Sequence, residues 1–223
     1  MVDTATWETE EERVVVGGAV QTLEGSPDGE LIALGKTIPD VDESPPGSVK
    51  LLDAESLQAV RELTMSADDF PYDLSFSPDG ESVAVGVATG LLYVFDVATG
   101  RQVHGAARVH HDFVQRIEWL PDGRTVVSTG ADGMVTLYDA ERGLVRAIMP
   151  AASRRGPAHT YLLSWTEDTV SAVSGEEPGR SYPLELETWL DHACEVAGRN
   201  LTRDEWSSYV PERPYRRTCT DRA

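Results

Sequence analysis

The chain has 223 residues, of which 40% are hydrophobic and 26% are charged, and this composition is typical of a globular protein with one sizeable domain or two small ones. Its 38 acidic residues outnumber its 19 basic residues, which gives a net charge of −19 at pH 7. A charge of this sign repels phosphate backbones, and no apolar run is long enough to span a membrane. The N-terminus also lacks the basic and apolar regions of a signal peptide. We therefore expect a cytoplasmic protein that binds neither nucleic acid nor membrane.

The two cysteines, Cys194 and Cys219, are too few for a disulfide framework in a chain of this length. Because the cytoplasm is reducing, we expect both to be free thiols.

The first repeat of the chain follows an acidic lead-in at residues 1–13. Apolar strands at 14–16 and 20–23 lead to the turn Ser26-Pro27-Asp28-Gly29, in which Pro presets φ and Gly supplies a positive φ. Strands are predicted next at 31–34 and 49–53. Between them lie about eight extra residues, rich in Pro and acids, which predict an exposed loop at 37–47.

Two further repeats occupy residues 67–150 and share one register without gaps. Gly80 and Gly123 are 43 residues apart, and so are Asp96 and Asp139. Each repeat has a Pro-Asp-Gly turn, an apolar run, a second Gly turn and a strand that ends in an aromatic residue and Asp. A period near 43 with four short strands predicts the blades of a β-propeller.

A fourth, degraded repeat begins at Leu163-Ser164-Trp165, which matches Ile117-Glu118-Trp119. The tail changes to a helical period, with apolar residues at Leu186, Trp189, Leu190, Ala193 and Ala197. Thr202 and Glu205 have the spacing of a capping box, which predicts a second short helix. We therefore predict an all-β fold with a short α-helical C-terminal tail, organised as lead-in 1–13, four blades within 14–186 (14–65, 66–109, 110–155 and 156–186) and tail 187–223.

With these turns and strand endings, the chain resembles WD40-repeat proteins over roughly residues 14–186, most specifically in its two middle repeats. The resemblance implies an incomplete WD40-like β-propeller. In that family a His, a Ser or Thr, an Asp and a Trp form a buried hydrogen-bonded set within a blade. The third repeat carries candidates for this structural network, with Tyr in the place of Trp: His110, Ser128, Asp132 and Tyr138.

The second repeat has no such network at the matching positions, which are Ala67, Val85, Thr89 and Phe95. The tail from Trp189 to Arg216 resembles the C-terminal extension of large actinobacterial WD40 proteins. Those proteins often carry a STAND-type NTPase or a BTAD-type regulator region before the propeller. This chain has no Gly-rich Lys-Ser/Thr phosphate loop, so NTPase activity is not carried over.

No set of residues in the sequence supports a catalytic, cofactor-binding or metal site. The His110-His111-Asp112 cluster lacks further ligands at metal-binding spacing, and His110 is better explained as the structural histidine of its blade. The pair Asp68-Asp69 is expected to be solvated. We therefore expect no enzyme, no cofactor and no metal.

Rigid blades that present loops usually form binding surfaces, so the sequence favours a non-catalytic protein-interaction scaffold or sensor. One alternative is the ligand-sensing part of a signalling NTPase or transcriptional regulator system whose effector is encoded separately; a propeller hydrolase is the other. We expect protein partners. Four repeats are few for a WD40 ring, so we also expect self-association, or association with a missing half, to complete a propeller.

Overall fold

The computed structural model describes residues 19–36, 48–151, 160–166, 169–174, 179–184, 188, 194–195, 198–209, 214–217 and 219. The predicted lead-in, the strand at 14–16 and the insertion loop at 37–47 lie outside these residues, as does the helical stripe of the tail. Among the described residues, no helix has both the length and the hydropathy needed to cross a bilayer.

The described strands form four antiparallel sheets, and within each sheet the strands are neighbours in chain order. Blade 1 consists of β1 (Val20–Gly25), β2 (Leu31–Lys36), β3 (Ser48–Asp53) and β4 (Ala59–Thr64). Blade 2 consists of β5 (Pro71–Phe76), β6 (Ser82–Val87), β7 (Leu91–Asp96) and β8 (Ala107–Arg108). Blade 3 consists of β9 (Val114–Trp119), β10 (Thr125–Gly130), β11 (Met134–Asp139) and β12 (Leu144–Pro150).

Blade 4 has three described strands, β13 (Thr160–Trp165), β14 (Thr169–Ser174) and β15 (Arg180–Pro183). The helix α1 spans Arg203–Tyr209. The prediction of an all-β, incomplete WD40-like propeller of about four blades with a short helical tail is thus confirmed. The chain divides into two compact units, Met1–Leu163 with Ala172–Arg180 and Ser164–Ser171 with Ser181–Ala223.

The Pro-Asp-Gly turns join the first two strands of blades 1, 2 and 3 as predicted. Gly29, Gly80 and Gly123 have φ angles of 75°, 73° and 63°, which only glycine adopts without strain. In blade 2, the Ser77 hydroxyl donates to Asp79 Oδ1 at 2.6 Å, and the same carboxylate accepts the Glu81 N–H at 3.0 Å. These contacts close the turn within five residues, so the sequence sets its geometry locally.

The core of the first unit lies between neighbouring blades, because each middle strand sends alternate side chains to opposite faces. In β6, Val83 and Val85 pack in the cluster shared with blade 1, whereas Ala84 packs in the cluster shared with blade 3. Fully burying a Val or Leu side chain contributes about 1.5–3 kcal/mol, so these faces hold the blades together. The innermost strands β1, β5 and β9 lie side by side.

Candidate binding surface and buried blade networks

A groove of about 510 Å³ crosses the innermost strands of blades 1, 2 and 3. We call it the inner groove. Tyr72 lies near the start of β5, and Phe113 directly precedes β9. Their rings stack with centroids 4.8 Å apart. The groove is lined by Gln21, Thr22, Leu23, Tyr72, Asp73, Phe113, Gln115 and Arg116. Its volume is in the range of small-molecule binding sites.

Asp73 is the largely buried acid of the inner groove. Its Oδ2 accepts the Ile117 backbone N–H at 2.9 Å, and its Oδ1 accepts the Thr22 hydroxyl at 3.2 Å. Burial raises the pKa of this carboxyl above its usual range, although the Ile117 N–H and the Arg116 guanidinium oppose that shift. Arg116 Nη1 lies 3.9 Å from Asp73 Oδ2, and the Arg116 side chain is 59% exposed. The groove therefore offers an anchored acid and an accessible cation beside an aromatic pair.

Glu24 of β1 lies near the groove at the contact between blades 1 and 2. Burial raises its pKa from 4.5 to about 7, with smaller upward contributions from Glu118 and Asp73. The Phe76 N–H, which donates to Glu24 Oε1 at 3.4 Å, acts in the opposite direction. The innermost strands of three successive blades thus place Glu24, Asp73 and Glu118 close enough for the negative charges of Asp73 and Glu118 to raise the pKa of Glu24.

The structure brings His110, Ser128 and Asp132 together in blade 3. His110 Nε2 lies 2.9 Å from Ser128 Oγ, and His110 Nδ1 lies 3.0 Å from Asp132 Oδ1. The His110 side chain is buried. Burial pushes the pKa of Asp132 upward, but hydrogen bonds from the His110 ring and the His111 N–H outweigh it and hold that pKa below its usual value. The set ties the loop before β9 to β10 and to the β10–β11 turn.

Tyr138, the fourth predicted member, is not a hydrogen-bond partner of His110 among the described residues. It is 1% exposed and packs in the apolar cluster with Trp119 and Val126. Burial raises the pKa of its hydroxyl. Its place in the blade is therefore that of a core aromatic residue.

Blade 2 contains a buried polar set that sequence reasoning missed. The Asp69 carboxylate accepts hydrogen bonds from the Thr89 and Tyr93 hydroxyls. Asp69 is 3% exposed, so its expected solvation is wrong, whereas Asp68 is exposed as expected. Thr89 occupies the position of Asp132, since the two are 43 residues apart. The sequence does contain a signal for this set: Asp69 follows Ala67, the histidine position of the repeat, by two residues, and Thr89 carries a hydroxyl at the β6–β7 turn.

The His110-His111-Asp112 cluster does not converge on a common point. His111 and Asp112 are exposed, and Asp112 Oδ1 accepts the N–H of Phe113 at 2.8 Å. In the part of the chain that the structure describes, no three His, Cys, Asp or Glu side chains could hold a metal ion together.

The capping box of the tail is confirmed at the start of α1. The Thr202 N–H donates to Glu205 Oε2 at 2.8 Å, and the Glu205 N–H donates to Thr202 Oγ1 at 3.2 Å. Arg199 also pairs with Glu205, with Nη1 to Oε2 and Nη2 to Oε1 distances of 2.7 Å. These bonds hold the pKa of Glu205 at about 2.

The prediction of free thiols is wrong, because Cys194 and Cys219 form a disulfide bond with Cα atoms 5.6 Å apart. Asn200 explains part of the proximity: its side-chain oxygen accepts the Cys219 N–H at 2.9 Å, and its amide donates to the Cys219 carbonyl at 3.1 Å. The two cysteines are 25 residues apart in the chain, so spacing alone gave no sign of the pairing.

Comparison with known proteins finds similarity to WD40 repeats in part of this chain. The family model described as "WD domain, G-beta repeat" matches residues 105–139, the stretch that contains the His110 network. The chain is 33% identical over 112 residues to WD repeat-containing protein 1-B of Xenopus laevis, and 30% identical over 112 residues to WD repeat-containing protein 1-A of the same organism. Each match covers 50% of this chain and 18% of the relative, so the chain spans less than a fifth of the length of these relatives. Together with the four sheets, these matches support a WD40 β-propeller.

Proposed function

We propose that this chain is a non-catalytic protein-interaction scaffold or sensor whose partner surface is the inner groove. The observation that carries the proposal is the stacked Tyr72–Phe113 pair beside Asp73 and the accessible Arg116 guanidinium. Aromatic and Arg side chains dominate the energetics of protein interfaces. WD40 repeats, moreover, generally mediate protein interactions, and that general property supports the proposal.

The partner of the groove is proposed to be an extended peptide segment of another protein. An apolar side chain of the segment would pack on the Tyr72–Phe113 rings, and an acceptor group would pair with Arg116. Asp73 already accepts two hydrogen bonds from within the propeller, so its role is to fix the shape of the groove.

Selection of displayed peptides on the purified chain tests this proposal. Phe113→Ala should weaken the affinity of a selected peptide at least about tenfold, the typical loss at an aromatic contact residue. Val103→Ala is the matched control, because Val103 is 45% exposed and lies outside the groove lining. Peptides that bind both variants and the unchanged chain equally would contradict the assignment of the groove.

The non-catalytic part of the proposal has its own test. In a broad screen of hydrolase substrates, we expect no turnover by the purified chain. Turnover that a single substitution in this chain abolishes would replace the scaffold proposal with that of a propeller hydrolase.

A second candidate is the ligand-sensing part of a signalling NTPase or transcriptional regulator system. It is supported by the tail, where the Arg199–Glu205 pair and the Cys194–Cys219 bond build a hydrogen-bonded and cross-linked segment. Resemblance of this tail to the extension of actinobacterial regulators suggests a separately encoded effector. An adjacent reading frame for an NTPase or a DNA-binding module would favour this candidate.

Location in the cytoplasm and self-association complete the proposal. The Cys194–Cys219 disulfide counts against this location, because disulfide bonds rarely persist in a reducing cytoplasm. Reduced cysteines in the native cell would support the location, and a disulfide bond there would contradict it. Self-association would add blades to the four of a single chain, which are few for a WD40 ring.

A further inference from the structure

Neighbouring blades of residues 19–151 repeat one contact between their innermost strands. The Ile117 and Trp119 N–H groups of β9 donate to Asp73 Oδ2 at 2.9 Å and to Ser75 Oγ at 3.0 Å. In the same way, the Phe76 N–H of β5 donates to Glu24 Oε1 at 3.4 Å. Three N–H groups of β5 and β9 thus find side-chain acceptors on the preceding blade.

The apolar part of this contact is repeated as well. Val114 packs on Gly86 of β6, and Pro71 packs on Gly35 of β2, so closely that a Cβ on either glycine would overlap the packed side chain. Leu74 and Ile117, three residues further along β5 and β9, are each 2% exposed. The strands β5 and β9 therefore each pack two apolar side chains against the preceding blade.

The innermost strand of blade 1 has the same pair of positions, but they are open. Val20 lies 51 residues before Pro71, and Leu23 lies 51 residues before Leu74, in agreement with the eight-residue insertion. The strand bulge between Val20 and Thr22 also recurs between Pro71 and Asp73. Yet Val20 is 46% exposed and Leu23 is 59% exposed. This face of β1, which we call the β1 face, has the chemistry of a blade-to-blade contact, but both of its apolar side chains remain exposed.

We propose that the β1 face binds a blade of a second copy of this chain, an inference that rests on the proposed self-association. The β1 face offers donors and apolar side chains, so it does not complement itself and requires a face with acceptors. In the sequence of the last repeat, Ser164 aligns with Glu118 and therefore with Ser75 and Glu24, the two residues that accept an N–H of the next blade at this position. Two copies joined head to tail at two such junctions make eight blades, within the range of closed propellers.

Sedimentation equilibrium of the full chain tests this proposal. A species of twice the 24.3 kDa chain mass is expected. Each copy carries a charge of −19, so added salt should strengthen the association by screening repulsion. A monomer at all concentrations and salt levels would overturn the proposal.

Val20→Lys should convert the dimer to a monomer, because it places a charge in the proposed contact. Val60→Lys is the matched control: Val60 is 52% exposed on β4, the outermost strand of the same blade. Both side chains are exposed in a single copy, so both variants should keep the unchanged circular dichroism spectrum. A Val20→Lys variant that remains dimeric would contradict the β1 face as the contact.

Two further measurements separate the remaining outcomes. If a chain lacking residues 1–18 forms dimers and the full chain does not, the β1 face belongs to that segment and the second-copy proposal fails. Leu23 of the β1 face also lines the inner groove, whereas Val20 does not, so peptide binding by the monomeric Val20→Lys variant reports on the scaffold proposal alone. Retained peptide binding with no dimer in any variant would overturn this inference and leave the scaffold proposal standing.

Discussion

Blades 2 and 3 tie the loop before their first strand to the turn between their second and third strands with different residues. Blade 3 uses an imidazole on the loop and a carboxylate on the turn, whereas blade 2 uses a carboxylate on the loop and a hydroxyl on the turn. In both, the buried group on the loop, His110 or Asp69, pairs with a complementary group on the turn, which avoids the cost of an unsatisfied buried polar group. Residue identity at this join is thus free to vary as long as the two sides remain complementary.

His110→Ala should lower the free energy of unfolding by about 1–3 kcal/mol, because it leaves Ser128 and Asp132 without their buried partner. The control is His111→Ala, since His111 is exposed and only its backbone N–H donates to Asp132. Urea denaturation measures both. Equal losses from the two substitutions would argue against the structural role of His110.

Asp69→Ala should cost a comparable amount, about 1–3 kcal/mol, because the Thr89 and Tyr93 hydroxyls lose their acceptor. Its neighbour Asp68 is exposed, so Asp68→Ala should change the melting temperature little. A small effect at both positions would mean that water replaces the Asp69 carboxylate without cost.

Glu24 should make stability depend on pH near neutrality. Its pKa is raised from 4.5 to about 7 in the folded chain, so the folded chain binds more protons than the unfolded chain between these values. Stability should therefore fall as the pH rises from about 4.5 to about 7. In Glu24→Gln this part of the slope should disappear, whereas the exposed Glu30→Gln should retain it. Urea midpoints at several pH values provide the measurement, and an unchanged slope in Glu24→Gln would contradict the assignment.

Turns set the geometry of each blade at the scale of the element. Gly90 joins β6 to β7 with a φ of 81°, and its N–H donates to the Val87 carbonyl at 3.1 Å. A Cβ at Gly90 would also meet the carbonyl oxygens of His110 and Asp112. The β6–β7 turn of blade 2 therefore packs closely against the loop that carries His110 of blade 3.

Three alanine substitutions should separate backbone strain from overlap at such turns. Gly29→Ala has free space around its Cβ but a φ of 75°, so it should cost about 1–2 kcal/mol. Gly90→Ala adds the overlap and should cost more. Gly105→Ala has free space and should be close to neutral. Denaturant titration that ranks Gly29→Ala above Gly90→Ala would contradict the close approach of the two blades.

Sequence reasoning succeeded for the elements whose causes are local. Pro-Asp-Gly turns and the Thr202–Glu205 capping box involve residues at most a few positions apart, so the spacing in the sequence determines which groups form hydrogen bonds. It did not find Asp69, because the family pattern directs attention to Ala67 at the histidine position. Nor could it find that Asp73 accepts the Ile117 N–H, because that contact joins residues of two blades. Contacts between repeats depend on how blades are placed, which a single repeat does not encode.

At the scale of the whole molecule, the tail is held by a covalent link as well as by hydrogen bonds. Closing a loop of 25 residues is expected to stabilise the folded tail by about 3 kcal/mol. Cys194→Ser should therefore speed hydrogen exchange of α1 amides, and Thr64→Ser in exposed β4 is a control with no effect on α1.

Intact mass after alkylation under native, non-reducing conditions should show no modified cysteine. Two modified cysteines would restore the prediction of free thiols.

The sequential order of strands within each sheet has a consequence for how the chain folds. Strands that pair with their neighbours in sequence, closed by turns such as Ser77–Ser82, need only short loops to be closed. Short loops lower the entropic barrier of the folding nucleus relative to other β proteins. A hairpin of blades 1, 2 or 3 can then form as soon as its own residues leave the ribosome, and the next blade packs onto a sheet face that is already in place. Synthesis from the N-terminus would thus build these blades one after another in the order in which their contacts are satisfied.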